Sequence, residues 1–287
     1  MKLVTYSDHG DIKLGAIKGD SVIDLRKRIP SLPGEMIALI DKWDDVRSRV
    51  QELAEQSEAD AALADVRLMA PVTRPGKVMG IGLNYADHIK ETGQQTPTHQ
   101  VWFSKAVTSI NGPFDPIELP LASKMTDYEA ELVVIIGKRC KHVAAERAGE
   151  VVFGYCAGND VSVRDWQMRT PQWVLGKSFD THAPIGPWIV TPDELGDPHS
   201  LGIRCLVNAE LRQNSNTKYL VFSVFDQIAH LSQAMTLEPG DVIFTGTPGG
   251  VGLAMNPPQL LKEGDRVRVE IDRIGAIEAA IRNETAR

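Results

Sequence analysis

The sequence predicts an α+β protein, a mixed β-roll or barrel with peripheral helices, preceded by a small N-terminal α/β domain. Three observations predict it. Strand-like segments recur through residues 71–287 with no regular alternation of helices, which argues against a doubly wound sheet. Residues 1–70 carry three short strand-like stretches and then helical spacing. Pro71 and Pro75, bracketing Thr73-Arg74, punctuate the boundary between the two. A chain of 287 residues, 43% apolar, suffices for one large and one small unit with a substantial core.

Taken in order, residues 2–7, 14–17 and 22–25 read as strands. Helices follow over residues 35–64: Val46, Val50 and Leu53 have helical spacing, and the Ala- and Glu-rich residues 51–65 read as a solvated helix pair. Beyond the boundary, residues 77–83, 131–137, 151–158, 185–190, 203–207, 241–245 and 266–271 read as strands. Asn208-Ala209-Glu210 lies between two strand-like arms and predicts a hairpin, with Ala where Gly would serve a tight turn. Val224, Ile228, Leu231 and Met235 predict an amphipathic helix over residues 223–235, stopped by the Glu238-Pro239-Gly240-Asp241 turn. There is no internal repeat or low-complexity tract.

Bulk properties exclude several classes. A net charge of −7 and a pI near 5.5 are wrong for a nucleic-acid binder. No apolar run approaches the ~20 residues that span a bilayer. The first seven residues alternate as a strand and lack a signal peptide's apolar core. Cys140, Cys156 and Cys205 are odd in number and widely spaced, so reduced thiols in a cytoplasm are expected rather than a disulfide framework.

The chemistry begins at Asp127-Tyr128-Glu129-Ala130-Glu131. Residues i and i+2 of a strand share a face, so Glu129 and Glu131 stand side by side and their repulsion calls for a cation. Asp160 ends a second apolar segment and offers a third carboxylate. Such an oxygen set suits Mg²⁺ or Mn²⁺; a solvated strand face is the competing account. His88 and Glu91, at i and i+3, meet on one helix face, where a carboxylate orients an imidazole to prepare a water for attack. A surface His–Glu pair is the bland alternative. Lys177, after an aromatic-rich segment, could stabilise developing negative charge or be an ordinary exposed lysine. Arg164 is either part of the polar cluster after Asp160 or a buried, paired cation. Gly80-Ile81-Gly82 follows a strand but lacks the third glycine and the βαβ unit of a dinucleotide site. The loop from Thr245 to Gly252 lacks the Gly-Lys-Ser/Thr of a nucleotide site; it offers an anion nest for a carboxylate, with the Thr247 hydroxyl as a further donor, or a plain turn.

Together these segments resemble the fumarylacetoacetate hydrolase family. The carrying blocks are Gly82-Leu83-Asn84-Tyr85-Ala86-Asp87-His88, Asp127 to Leu132, Gly158 to Ser162 with Arg164-Asp165-Trp166-Gln167, Gly176 to Asp180, and Pro239 to Ile243 with Thr245 to Pro248. The resemblance spans residues 75–252 and implies a β-roll catalytic domain that forms a homodimer. It also implies a divalent metal on Glu129, Glu131 and Asp160, and a water-activating pair of His88 and Glu91. Lys177 and Gln167 are implied near the substrate and Thr247 at its carboxylate, with Arg164 and Tyr85 among the substrate-binding candidates. Leu83 stands where oxaloacetate-decarboxylating members commonly carry Arg. The activity implied is hydrolysis of a carbon–carbon bond in a 2,4-dioxo acid, giving pyruvate and a carboxylic acid. Decarboxylation or tautomerisation of a 2-keto acid and hydration of a 2-oxo-alkenoate are the enzymatic alternatives, and a metal-stabilised binding module the non-enzymatic one. The substrate's tail is expected to meet residues 94–100, Trp173 and the N-terminal domain.

Overall fold

The computed structural model describes residues 1–286 and is built on two mixed sheets. The larger runs in the order 61–62, 21–24, 11–18, 2–8, 183–190, 152–159, 130–136, 242–244, 78–82 and 101–104, with two short strands off that path. It is open at both ends, so the fold is a roll and not a closed barrel. The smaller sheet runs 210–216, 202–207, 266–271, 275–283 and 117–119. Strands from residues 1–70 continue the larger sheet, because Leu3 of Lys2–Asp8 pairs with Ile189 of Ala183–Val190.

Strand Ala130–Ile136 is the hinge of the architecture. It is buried on both faces, which explains its uninterrupted apolar run. Leu132, Val134 and Ile136 enter the core shared with Ile203, Cys205 and Val269 of the smaller sheet and Ile228 of helix Val224–Ala234. Val133 and Ile135 enter the opposite core, with Leu3, Leu39, Val50, Phe153 and Phe244. Glu131 shares the parity of Val133 and Ile135, so its carboxylate emerges where that second core ends.

The helix at Val224–Ala234 begins on a capping box, with Ser223 receiving the Asp226 N–H and Asp226 the Ser223 N–H. Residues 51–65 do not form a helix pair. One helix, Trp43–Gln56, is followed by a strand at Ala61–Ala62 and a tight turn at Leu63–Asp65. Only Val50 is fully buried along that helix, and once the chain turns back, Val22 O accepts the Asp60 N–H at 2.9 Å. That tertiary bond outweighs a weak local helix preference. Strand Gly275–Asn283, not expected from the sequence, pairs with Arg266–Ile271 in unbroken register.

Candidate active site

Register builds the centre. Antiparallel pairing sets Ala130 against Asn159 and Glu131 against Gly158, so Glu129 and Asp160 come opposite each other at the strand ends. Asp160 N–H then donates to Glu129 O at 2.9 Å. Ligand oxygens of Glu129, Glu131 and Asp160 lie within 4.8 Å of one another, and all three residues are buried. The side-by-side carboxylates expected from i and i+2 are therefore present, enclosed and not solvated.

Cations surround two of the three. Lys177 Nζ donates to Glu129 Oε2 at 2.7 Å and to Asp160 Oδ2 at 2.6 Å. Lys105 Nζ donates to the other Asp160 oxygen at 2.5 Å. Arg164 reaches Glu129 Oε1 at 2.6 Å and Asp127 Oδ2 at 2.8 Å. Burial pushes the Glu129 carboxyl up, but the cations Lys177 and Arg164 outweigh it and hold the group well below the usual carboxylate range. Glu131 goes the other way: burial first, then the charges of Asp160 and Glu129, push it well up. Among the described residues its carboxylate has one hydrogen bond, from Gly246 N–H to Oε2 at 2.7 Å. Four buried carboxylates, counting Asp127, face three buried cations, so one negative charge is in excess when all are ionised. A hard dication fits this all-oxygen donor set and that excess.

His88 and Glu91 lie on helix Ala86–Glu91, with Nδ1 3.4 Å from Glu91 Oε2. Both Glu91 oxygens also accept from Gly250 N–H, at 2.9 and 3.0 Å. A cavity of about 220 Å³ brings His88 together with Glu129, Glu131, Arg164, Gln167, Lys177 and Thr247. Gln167 Oε1 accepts from Arg164 at 3.0 Å. Tyr85 is apart from them: its side chain is fully buried in the core and does not line the cavity. Arg164 lines it but is committed to two carboxylates. Gln94 and Trp173 line it as well, whereas no residue of 1–70 does.

The glycines have packing reasons. A Cβ on Gly80 would sit 2.4 Å from the Phe103 ring and one on Gly82 2.3 Å from that of Trp173, so Gly-x-Gly here lets two aromatic rings lie against the strand. The glycine-rich loop after Val242–Phe244 is an anion nest, but for the protein's own carboxylates. Gly246 N–H goes to Glu131, Gly250 to Glu91, and Gly252 and Leu253 to Asp127.

Sequence reasoning did not find Lys105, Asp127 as a hub, or Gln213. Lys105 is a lone lysine after a short strand, and nothing local marks it. Gln213 donates from Nε2 to Thr247 Oγ1 at 2.9 Å and to Pro248 O at 2.8 Å.

Residues 77–282 match the profile described as fumarylacetoacetate (FAA) hydrolase C-terminal. Oxaloacetate tautomerase fahd2, mitochondrial, of Xenopus laevis is 45% identical over 283 residues, covering 96% of this chain and 89% of that one. The solved structure of a putative HpcE protein from Mycobacterium smegmatis superposes with a TM-score of 0.89 at 38% identity, over 99% of this chain and all of that one. Maleylpyruvate hydrolase from Sphingobium sp. SYK-6, solved with manganese (II) ion and pyruvate, gives 0.84 at 35% identity, over 99% and 100% of the two chains.

Proposed function

Because the chain belongs to the fumarylacetoacetate hydrolase family, we propose that it is a divalent-metal-dependent enzyme that moves the C3 proton of a small 2-oxo acid, interconverting keto and enol forms. One observation carries this reading: a single cavity is lined by the buried carboxylates Glu129 and Glu131, whose oxygens lie within 4.8 Å of that of buried Asp160, and by an imidazole backed by the Glu91 carboxylate. At about 220 Å³ it lies below the ~300–1,000 Å³ usual for drug-sized ligands and suits a metabolite of a few carbons. Oxaloacetate is the first substrate to test, since a relative 45% identical over 96% of the chain is named an oxaloacetate tautomerase.

Glu129, Glu131 and Asp160 would hold Mg²⁺ or Mn²⁺. Bound there, the ion supplies a Lewis acid for the carboxylate and keto oxygens of the substrate. The chain's own residues do the rest. An ionised Glu91 only accepts, so His88 Nδ1 carries the hydrogen facing it and Nε2 keeps the lone pair. Nε2 takes the proton from C3, leaving an enolate, and hands it to the keto oxygen to give the enol; the same two transfers in reverse restore the keto form. Lys177 spends two N–H groups on Glu129 and Asp160, leaving a third for the substrate oxygen on which charge develops. Thr247 and Gln167 anchor the carboxylate end. Three free cysteines suit a reducing cytoplasm, and a homodimer is the assembly the family resemblance suggests.

A second reading is hydrolysis of a 2,4-dioxo acid, in which Nε2 instead takes a proton from a water attacking C4, the C3–C4 bond breaks to give a carboxylic acid and a pyruvate enolate, and that proton is returned to C3. It is favoured by the likeness to a maleylpyruvate hydrolase solved with pyruvate. Relatives named as tautomerases and hydrolases leave the non-catalytic binding module without support.

The test follows the ultraviolet enol absorbance of oxaloacetate with Mn²⁺ and again after chelation, while pyruvate is measured in parallel. Chelator-sensitive equilibration without stoichiometric pyruvate is expected. Consumption of an acylpyruvate with stoichiometric pyruvate, and no effect on oxaloacetate, would put hydrolysis in its place. Inactivity with both substrates would sink the enol reading.

A further inference from the structure

We propose that Gln213 is a positioning residue that forces the Thr247 hydroxyl to act as a hydrogen-bond donor into the cavity, making it a receptor for a carboxylate. The inference rests on the proposed function, in which Thr247 anchors the substrate's carboxylate.

Three hydrogen bonds lead to it. Gln213 sits on strand Glu210–Asn216 opposite Cys205 and is fully buried. Its Oε1 accepts from Ala130 N–H at 2.9 Å, and its Nε2 donates to Pro248 O at 2.8 Å. A backbone N–H can only donate and a carbonyl can only accept, so these two contacts set which end of the amide is oxygen. The remaining Nε2 hydrogen therefore points at Thr247 Oγ1, 2.9 Å away. A threonine hydroxyl that already accepts from an amide has to turn its own hydrogen elsewhere. Among the described residues it has no other hydrogen-bond partner, and Thr247 lines the cavity. The hydrogen is presented to that cavity.

The arrangement solves a general problem. A free hydroxyl offers a carboxylate either a hydrogen or a repelling lone pair, and fixing the rotor costs free energy at binding. Gln213 fixes it beforehand, which is pre-organisation of a donor aimed at negative charge. The same amide holds Ala130, between Glu129 and Glu131, so one side chain ties the strand bearing the carboxylates to the loop that reads the substrate.

The decisive measurement is calorimetric titration of pyruvate into the Mn²⁺-loaded protein, for wild type, Gln213→Glu, Thr247→Val and the double variant. In Gln213→Glu an acceptor faces Thr247, which turns its hydrogen towards the new carboxylate and shows lone pairs to the ligand. Each single variant is expected to weaken pyruvate binding about tenfold or more, the scale of one hydrogen bond to a charged group. The double variant should be no weaker than the weaker single one, because both remove the same contact. Gln213→Met, which removes the polar group without adding charge, should show the same lack of additivity if the glutamate variant fails to fold. Mn²⁺ affinity should change less than threefold in every variant.

Unchanged pyruvate binding in both Gln213 variants overturns the proposal, as does additivity with Thr247→Val. A tenfold loss of Mn²⁺ affinity overturns it too, since Gln213 would then act through the strand of Glu129 and Glu131. Wild-type protein that binds Mn²⁺ but neither pyruvate nor oxaloacetate would instead refute the functional reading beneath it.

Discussion

Arg164 shows how a residue acquires its role from its partners. Its spacing after Asp160 suggested a substrate contact or a buried pair, and both Asp127 and Glu129 claim it. The guanidinium is best understood as a brace on Glu129, because a buried charge paired this closely is costly to redirect. His88 is placed otherwise. Among the described residues its ring has a hydrogen-bond partner only in Glu91, at Nδ1, which is the arrangement that the proposed proton transfer at Nε2 requires. Replacing His88 with Ala is expected to lower the turnover of the preferred 2-oxo acid by about 10²–10⁴-fold, as for loss of a general base. Mn²⁺ affinity, measured by titration on the same variant, should stay close to wild type. Turnover within threefold of wild type would remove His88 from the mechanism.

At the scale of elements, the hairpin between Gly202–Val207 and Glu210–Asn216 turns on Asn208 and Ala209, both with positive φ, at 52° and 66°. Two left-handed residues are what a two-residue hairpin with the strands' own twist requires. Ala pays a steric cost there that Gly does not. Ala209→Gly is therefore expected to stabilise the protein by up to about 1 kcal/mol, read as a higher denaturant midpoint with unchanged activity. A lower midpoint would show that the turn's strain is relieved in some other way. Strand Gly275–Asn283 went unread for a related reason. Ala276, Ala279 and Ala280 are poor strand formers, yet Ile277, Ala279 and Ile281 alternate into the core once Arg266–Ile271 supplies the register.

On the scale of the whole molecule, acid should act through a buried residue that does not line the cavity holding His88. His182 is fully buried, with one ring nitrogen 2.8 Å from Glu118 O, and burial pushes its pKa down from 6.5 to about 3. The unfolded chain takes up that proton near pH 6.5 while the folded one resists until near pH 3. Its contribution to stability is thus fully present above about pH 6.5 and is lost as the pH falls through that window, by up to about 1.4 kcal/mol per pH unit. Denaturant midpoints measured from pH 7 to pH 4 should fall, and His182→Gln, which keeps a donor for Glu118 O, should fall less steeply. Parallel curves for the two proteins would assign the acid sensitivity to other groups.

The sequence by itself determined what is local. Period-two spacing put Glu129 and Glu131 on one face, i and i+3 spacing put His88 beside Glu91, short apolar runs marked most strands, and helical spacing of apolar residues marked the helix at Val224–Ala234. The tertiary structure alone decided what stands opposite. Lys105 meets Asp160 across 55 residues of chain, Gln213 meets Ala130 across 83, and Gly250 meets Glu91 across 159. It also decided that the glycine-rich loop serves internal carboxylates, and that residues 61–62 leave the helix to join a sheet. The physical reason is that backbone periodicity sets the direction of a side chain over a few residues. Its partner is set by strand register and by which apolar faces are buried together, and these depend on segments far apart in the chain.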